Sequence, residues 1–498
     1  MALRCAALAT LIAFAAFSRA HGQQLLIPAD MPPIAKIEAR FLSYNIEMVE
    51  VTGGRFWKPY GPKTTAANQD LYADRPPIDL YDARLRKLAA ALSPAYLRVS
   101  GSWANATYFA DSESAPTKPP AGYGSVLSRA QWHGVIDFAK AVDARIVTSF
   151  AVSAGTRDRS GVWNADQARR LLAFTRSSGG DIAAAEFMNE PTLAPQNAAP
   201  AGYDAAAYGR DFQVFHDLIR QTSPQTLIVG PGGIGETASS AASGVATRDL
   251  LAASAGGIDV FSYHHYGTLS PRCGGRDEAD DALSEQWLSR TDTSLAFYKR
   301  LRDQFAPGRP IWLTETADAA CGGNAWDATS LDTFRFLDQL GRLARAGVSV
   351  VMHNTLSGSD YGLLDERTFR PRPDYWAALL WHRLMGRTVL EPRVSAETGL
   401  HIYVHCERDR TGGVSLLAIN ISKAPHALAL PLPSERYTLR ASRQEDSTVQ
   451  LNGRVLALGD DDALPDMAAV PTPAGVVSFP PASITFLAIP SAANPACR

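Results

Sequence analysis

The chain is poor in cysteine: there are five in 498 residues, and none is spaced C-x-x-C. Structural zinc sites commonly use that spacing, so no metal site is expected. No apolar run reaches the roughly 20 residues a helix needs to cross a bilayer. The run Ala6 to Phe17 stops short, so no membrane span is expected. There is no surplus of positive charge either, with 48 Lys and Arg against 50 Asp and Glu. A molecule-wide polycation is excluded, no nucleic-acid partner is expected, and an acidic polymer would have to meet local basic groups. No Gly-rich phosphate turn follows the first apolar strand, which runs into Asn45-Ile46-Glu47-Met48. A doubly wound nucleotide-binding sheet loses its support there, and no cofactor is expected. No internal repeat is visible, and the one biased tract is the Ala/Ser-rich stretch 236–246.

What remains is ordinary globular material, 46% apolar and 20% charged, with length enough for a large core. Residues 1–22 have the make-up of a secretory signal. Arg4 supplies the positive start, Ala6 to Phe17 the apolar centre, and Ser18-Arg19-Ala20 or Ala20-His21-Gly22 the small residues for cleavage. The expected location is therefore secreted or periplasmic. Cys5 falls within that signal, leaving Cys273, Cys321, Cys406 and Cys497. An even number in an exported chain predicts two disulfides, and spacing alone leaves three pairings open.

Residues 23–39 are short apolar pieces broken by Pro28, Pro32 and Pro33, able to add a strand to another domain. From Arg40 a rhythm sets in. Apolar strands at 40–46, 95–99, 145–152, 182–188, 226–230, 258–264, 310–314 and 348–354 alternate with helical stretches. Strands apolar almost throughout belong to a parallel sheet buried on both faces. Eight such units over 40–387 predict a (β/α)8 TIM barrel, an α/β fold. After Arg387 helical periodicity gives way to alternating strands and many prolines. Residues 388–498 therefore predict a C-terminal β-sandwich domain.

The stretch Asp181–Pro191, DIAAAEFMNEP, delivers Glu190 to the end of the fourth strand, where Pro191 stops regular pairing. The stretch Pro310–Glu315 does the same for Glu315 at the seventh. In a barrel these ends face the active site, and strands four and seven lie opposite each other. Two inward glutamates can then meet at the roughly 5–5.5 Å that retaining glycoside hydrolysis needs. A nucleophile must be ionised. Arg98, ending the second strand, is expected at the sugar site, placed to hydrogen-bond Glu315 and lower its pKa. Glu190 is left to hold the proton. Glu186 lies four residues upstream on the same face, a layer deeper and out of reach of a sugar. His264 and His265 point to opposite faces of their strand, so one faces the sugar and the other packs; His265 is taken as the sugar-facing one. Neither has an obvious third ligand for a metal.

Several motifs, in order, resemble those of glycoside hydrolase family 79, the heparanases and β-glucuronidases. They are Leu92-Ser-Pro-Ala-Tyr-Leu-Arg98, Asn189-Glu190-Pro191, His264-His265-Tyr266, Trp312-Leu-Thr-Glu-Thr316, Tyr361-Gly-Leu-Leu-Asp-Glu366 and Pro373-Asp-Tyr-Trp376. The resemblance implies a retaining barrel with a β-sandwich, Glu190 as proton donor and Glu315 as nucleophile. It implies that Glu47, Ser102 and Asn189 contact sugar hydroxyls, and that Cys321-Gly322-Gly323 with Tyr361 holds the glucuronate carboxylate. It pairs Cys406 with Cys497 and leaves Cys273 with Cys321. The chain departs from mammalian heparanases in having Cys321 for a glycine and Gly267 for a second tyrosine. Residues 110–128 are too short to hold the segment those enzymes excise, so a single uncut chain is expected. The expected function is a retaining endo-β-glucuronidase acting, as a monomer, on a glucuronate-containing polysaccharide such as heparan sulfate. The alternatives are an exo-β-glucuronidase and an inactive carbohydrate-binding protein.

Overall fold

The computed structural model describes residues 24–60, 71–194, 196–237, 244–395 and 397–498. The expected signal at 1–22 and its cleavage sites lie outside them. Eight parallel strands close into a barrel: β1 (Leu42–Glu47), β2 (Ala95–Ser100), β3 (Ala144–Ser149), β4 (Ile182–Glu186), β5 (Leu227–Gly233), β6 (Val260–Leu269), β7 (Ile311–Ala320) and β8 (Val350–His353). Each pairs with its successor, and β8 pairs with β1. The strands are apolar on both faces because both are covered. Outward residues such as Phe261, Tyr263 and Leu313 pack under the helices. Inward ones, among them Tyr96, Val147, Val229, Val260, Trp312 and Met352, fill the lower lumen. The Tyr96 and Trp312 rings meet there at 4.8 Å. The barrel is thus plugged below, and polar side chains have only its upper end.

That upper end carries two small additions that apolar periodicity does not announce. Gly54–Trp57 pairs antiparallel with Tyr72–Arg75, and Thr107–Ala110 pairs parallel with Ser125–Ser128. Both come from loops after barrel strands.

The rest of the chain forms two antiparallel sheets. A nine-stranded sheet includes Met385–Leu390, Leu400–Glu407, Val414–Asn420, Ser434–Arg440 and Ser483–Ile489. Pro33–Lys36 joins its edge beside Met385–Leu390. His426–Leu430 and Gly475–Phe479 make the second sheet. Alternation in Val414–Asn420 explains the sandwich. Leu416 and Ala418 face the core between the sheets, while Leu417 and Ile419 face the barrel helices. The Cys406–Cys497 and Cys273–Cys321 disulfides are both formed.

Candidate active site

β7 does not alternate regularly. Its pairing register shifts between Leu313 and Thr316, so Trp312 and Glu315, three residues apart, both face the lumen. A regular strand would send them to opposite faces. Glu190 arrives differently. It follows β4 with φ 47° and ψ 62°, a left-handed conformation that costs a non-glycine residue about 1–3 kcal/mol. Pro191 then opens a short 3-10 turn, Pro191–Leu193. Backbone strain is what turns the Glu190 side chain over the barrel mouth.

There the two carboxyl groups meet. One oxygen of each, with a ring nitrogen of His264, lie within 4.8 Å of one another. Glu190 is 7% exposed and Glu315 is 6% exposed, so both are reached only through a cavity.

Every contact on Glu315 favours its charged form. Arg98 Nη1 donates to Oε2 at 2.8 Å, and the Tyr266 hydroxyl donates to Oε1 at 2.7 Å. Burial pushes this carboxyl up, but the His264 and Arg98 charges and the two hydrogen bonds outweigh it, holding Glu315 below the ordinary carboxylate range. Tyr266 can act as donor because burial and the Glu315 charge raise its phenol well above the usual value. Asn354 Nδ2 fixes that phenol by donating to it at 3.0 Å. Glu190 has different company: His264 Nδ1 lies 3.0 Å from Oε1, and Asn197 Nδ2 lies 3.4 Å from Oε2.

Arg98 is the hub beneath. It is fully buried and also donates to Glu186 Oε2 at 3.0 Å and Asn189 Oδ1 at 2.7 Å. Expected at the sugar, it lies below the cavity instead, because acceptors on β4 (Glu186), just after it (Asn189) and on β7 (Glu315) draw the guanidinium down. Asn189 also sits behind the wall, held by a reciprocal pair of 2.9 Å hydrogen bonds with Asn105. Its buried Nδ2 has no partner.

The cavity itself is about 930 Å³ and is lined by Glu47, Ser102, Glu190, Tyr266, Glu315, Cys321 and Tyr361, among others. Glu47 is buried and its Oε2 is unpartnered, leaving capacity for a ligand. Burial, then the Glu315 charge, pushes its carboxyl well up, against the pull of Arg98. Gly101 makes room for it. A Cβ at that position, φ +87°, would stand 1.4 Å from Glu47 Oε2.

Two further expectations need correction. His265 does not face the carboxylates; its Nε2 lies 3.4 Å from Thr291 Oγ1. The residue that does is His264, which shares strand parity with lumen-facing Val260, whereas His265 shares it with outward Phe261 and Tyr263. Burial, with repulsion from Arg335 and Arg290, drives His265 down to about 3, so it is neutral. Gly322 and Gly323 do not line the cavity. They are buried, and a Cβ on Gly322 would meet the Trp57 side chain at 2.6 Å, one on Gly323 Asp327 Oδ2 at 1.7 Å. From that turn Cys321 alone reaches the wall.

Sequence reading missed an aromatic group that lines the same cavity. Trp57 and Tyr72 stack at 4.7 Å, with Trp103 edge-on to both. It also missed a second cavity of about 670 Å³, lined by Gly267, Arg276 and Arg290 and sharing Ile234, Gly235, Tyr266, Leu269 and Ala320 with the first.

Glu190, His264 and Glu315 are close enough together to hold a cation. Both Glu315 oxygens already accept hydrogen bonds, one from the Arg98 cation, which disfavours a metal there. The arrangement suits chemistry by two carboxyl groups, one held ionised.

The family model described as "Glycosyl hydrolase family 79, N-terminal domain" matches residues 77–341. Mouse (Mus musculus) heparanase is 28% identical, the match spanning 93% of this chain and 92% of the relative. Inactive heparanase-2 of Homo sapiens is 27% identical, over 70% of this chain and 62% of the relative. Among solved structures, a 4-O-alpha-L-rhamnosyl-beta-D-glucuronidase from Fusarium oxysporum 12S superposes with TM-score 0.64 at 12% identity. That match covers 94% of this chain and 100% of the other, a likeness of fold.

Proposed function

The chain belongs to glycoside hydrolase family 79, and we propose that it is a retaining endo-β-glucuronidase cleaving heparan-sulfate-like polysaccharide. One observation carries the mechanism: carboxyl oxygens of Glu190 and Glu315 stand within 4.8 Å. A retaining pair is spaced at about 5–5.5 Å, whereas an inverting pair needs about 6.5–9.5 Å to admit water. Glu315, held ionised by Arg98 and Tyr266, attacks the anomeric carbon. Glu190 gives its proton to the departing glycosidic oxygen as that bond breaks. Glu190, now a carboxylate, takes a proton from water, whose oxygen displaces Glu315 and restores both groups. His264, against Glu190, is placed to steady that side chain through the proton cycle.

Glu47, Ser102 and Tyr361 are the proposed sugar contacts in the cavity, and Asn189 orients the floor through Arg98. Endo action is supported by the second cavity adjoining the one that holds both glutamates, which gives a chain room to continue beyond it. Heparan sulfate as the substrate class is supported by the mouse relative being a heparanase. Export is supported by the two disulfides.

The exo reading draws on the Trp57–Tyr72–Trp103 wall, which would suit a pocket for a terminal sugar. The binding-only reading draws on the inactive relative, but here both glutamates are present and engaged. Glu315→Gln with heparan sulfate tests the mechanism: cleavage should vanish, and unchanged cleavage would end the proposal. Product sizes separate endo from exo, since internal cuts give fragments of falling size and exo action gives only free glucuronate.

A further inference from the structure

Beneath the Cys321 wall the chain gathers acid that the proposed chemistry does not use. Asp318 is three residues beyond Glu315 on β7, Asp327 lies in the loop after Cys321, and Asp332 opens the helix Ser330–Arg345. One carboxylate oxygen of each lies within 4.8 Å of the other two. Asp374 adds a fourth carboxylate beside Asp332, holding Thr333 Oγ1 at 2.7 Å. All four are buried. Among the described residues the cation in contact is Arg335, which donates to both oxygens of Asp332 at 2.5 and 2.6 Å. One guanidinium against four carboxyl groups leaves negative charge out of reach of water that protons or a cation must offset, because burying it uncompensated is costly.

A separate feature points to what compensates it. Asn324 is fully buried, and its side-chain amide and backbone N–H both donate into the cluster, to Asp318 Oδ2 at 2.7 Å and Asp327 Oδ2 at 3.1 Å. Its amide plane therefore lies among the carboxylates, yet its carbonyl Oδ1 has no hydrogen-bond partner. Asp318 Oδ1 and Asp327 Oδ1 accept from no N–H or hydroxyl donor, and the two carboxyl groups lie within hydrogen-bonding reach of each other. A proton shared between carboxyl groups would leave the neutral carbonyl of Asn324 idle, whereas a cation uses it. All the available donors are oxygen, the set that selects hard cations over zinc or copper. The glycine at 323 is what admits the Asp327 carboxylate, since a Cβ there would meet it at 1.7 Å.

We propose that Asp318, Asn324, Asp327 and Asp332 bind a hard divalent cation of the calcium class, pinning the loop that carries Cys321 to the barrel under the sugar cavity. This does not depend on the glycosidase reading, and its test does not read activity. The purified full chain is dialysed into metal-free buffer with EGTA, then into millimolar calcium chloride. Bound metal is measured by plasma mass spectrometry and Tm by calorimetry. Stoichiometric calcium and a Tm higher by several degrees are expected, because a ligand that binds only the folded state stabilises it. Asp327→Asn and the milder Asn324→Ala should weaken or abolish the response, and Glu315→Gln should keep it. Wild-type protein that holds no calcium and melts unchanged overturns the proposal, whether or not the variants fold. So does a calcium response that survives in Asp327→Asn or disappears in Glu315→Gln.

Discussion

Tyr266→Phe removes one hydroxyl and leaves the ring. That hydroxyl donates to Glu315 Oε1 at 2.7 Å in a buried site. A hydrogen bond to a charged group contributes about 1.5–3 kcal/mol. At 1.36 kcal/mol per pKa unit, its loss should raise the Glu315 pKa by about 1–2 units. The sign follows from which form the bond favours. The phenol stabilises the carboxylate, so without it Glu315 takes up its proton at higher pH, and only the carboxylate can attack. The acid limb of kcat/KM should therefore move about 1–2 pH units toward neutrality, while the alkaline limb, set by another group, stays. Arg98 still holds Oε2 at 2.8 Å, so activity should persist on the plateau. An aryl β-glucuronide assayed across the acid range reads the shift directly. An acid limb that does not move, with Tyr266→Phe folded and melting near wild type, would refute the assignment of Glu315 as the ionised nucleophile.

Two further outcomes follow from the geometry. Gly101→Ala should abolish most activity by displacing Glu47, whose Oε2 would be 1.4 Å from the new Cβ, and should lower stability by about 1–3 kcal/mol through the positive φ. Kinetics and denaturant melts measure both, and an active, stable variant would show that Glu47 does not bind the sugar. His401 joins the sandwich to the barrel, its Nδ1 2.5 Å from Asp338 Oδ1 and its Nε2 3.1 Å from Glu285 Oε2. Burial pulls its pKa down, but the Asp338 bond and charge prevail and raise it. A raised histidine contributes stability that is complete below its unfolded pKa of about 6.5 and fades as pH rises through the folded value. His401→Gln should therefore lower Tm more in acid than in alkali, and a pH-independent difference would contradict the ion-pair account.

The barrel is legible in the sequence because parallel strands covered on both faces must be apolar almost throughout, and the helices between them are amphipathic. The two glutamates are legible because each closes an apolar run, although β7 continues past Glu315 to Ala320 and Glu190 stands four residues beyond β4. What was not legible depends on departures from regular geometry. The register shift in β7 that turns Glu315 inward has no sequence signature. The left-handed Glu190 is foreshadowed only by Pro191, which disfavours helical backbone before it. His264 could have been preferred over His265 by carrying strand parity up from Val260, and Tyr266 would have followed as an inward donor. Trp57 and Tyr72 pair across one ribbon in the loop after β1 and meet Trp103 from the loop after β2, while Asp318, Asp327 and Asp332 come from a strand, a loop and a helix. No local spacing predicts such meetings.

The central claim is that Glu315 bonds the anomeric carbon from one face while Glu190 moves the proton of the departing and arriving oxygens on the other. Proton NMR of the first product released from an aryl β-glucuronide reads it most directly. Two displacements must release β-glucuronate first, with the α anomer appearing later by mutarotation. If α-glucuronate is released first, a single displacement by water has occurred, and the account of a covalent Glu315–sugar intermediate is wrong.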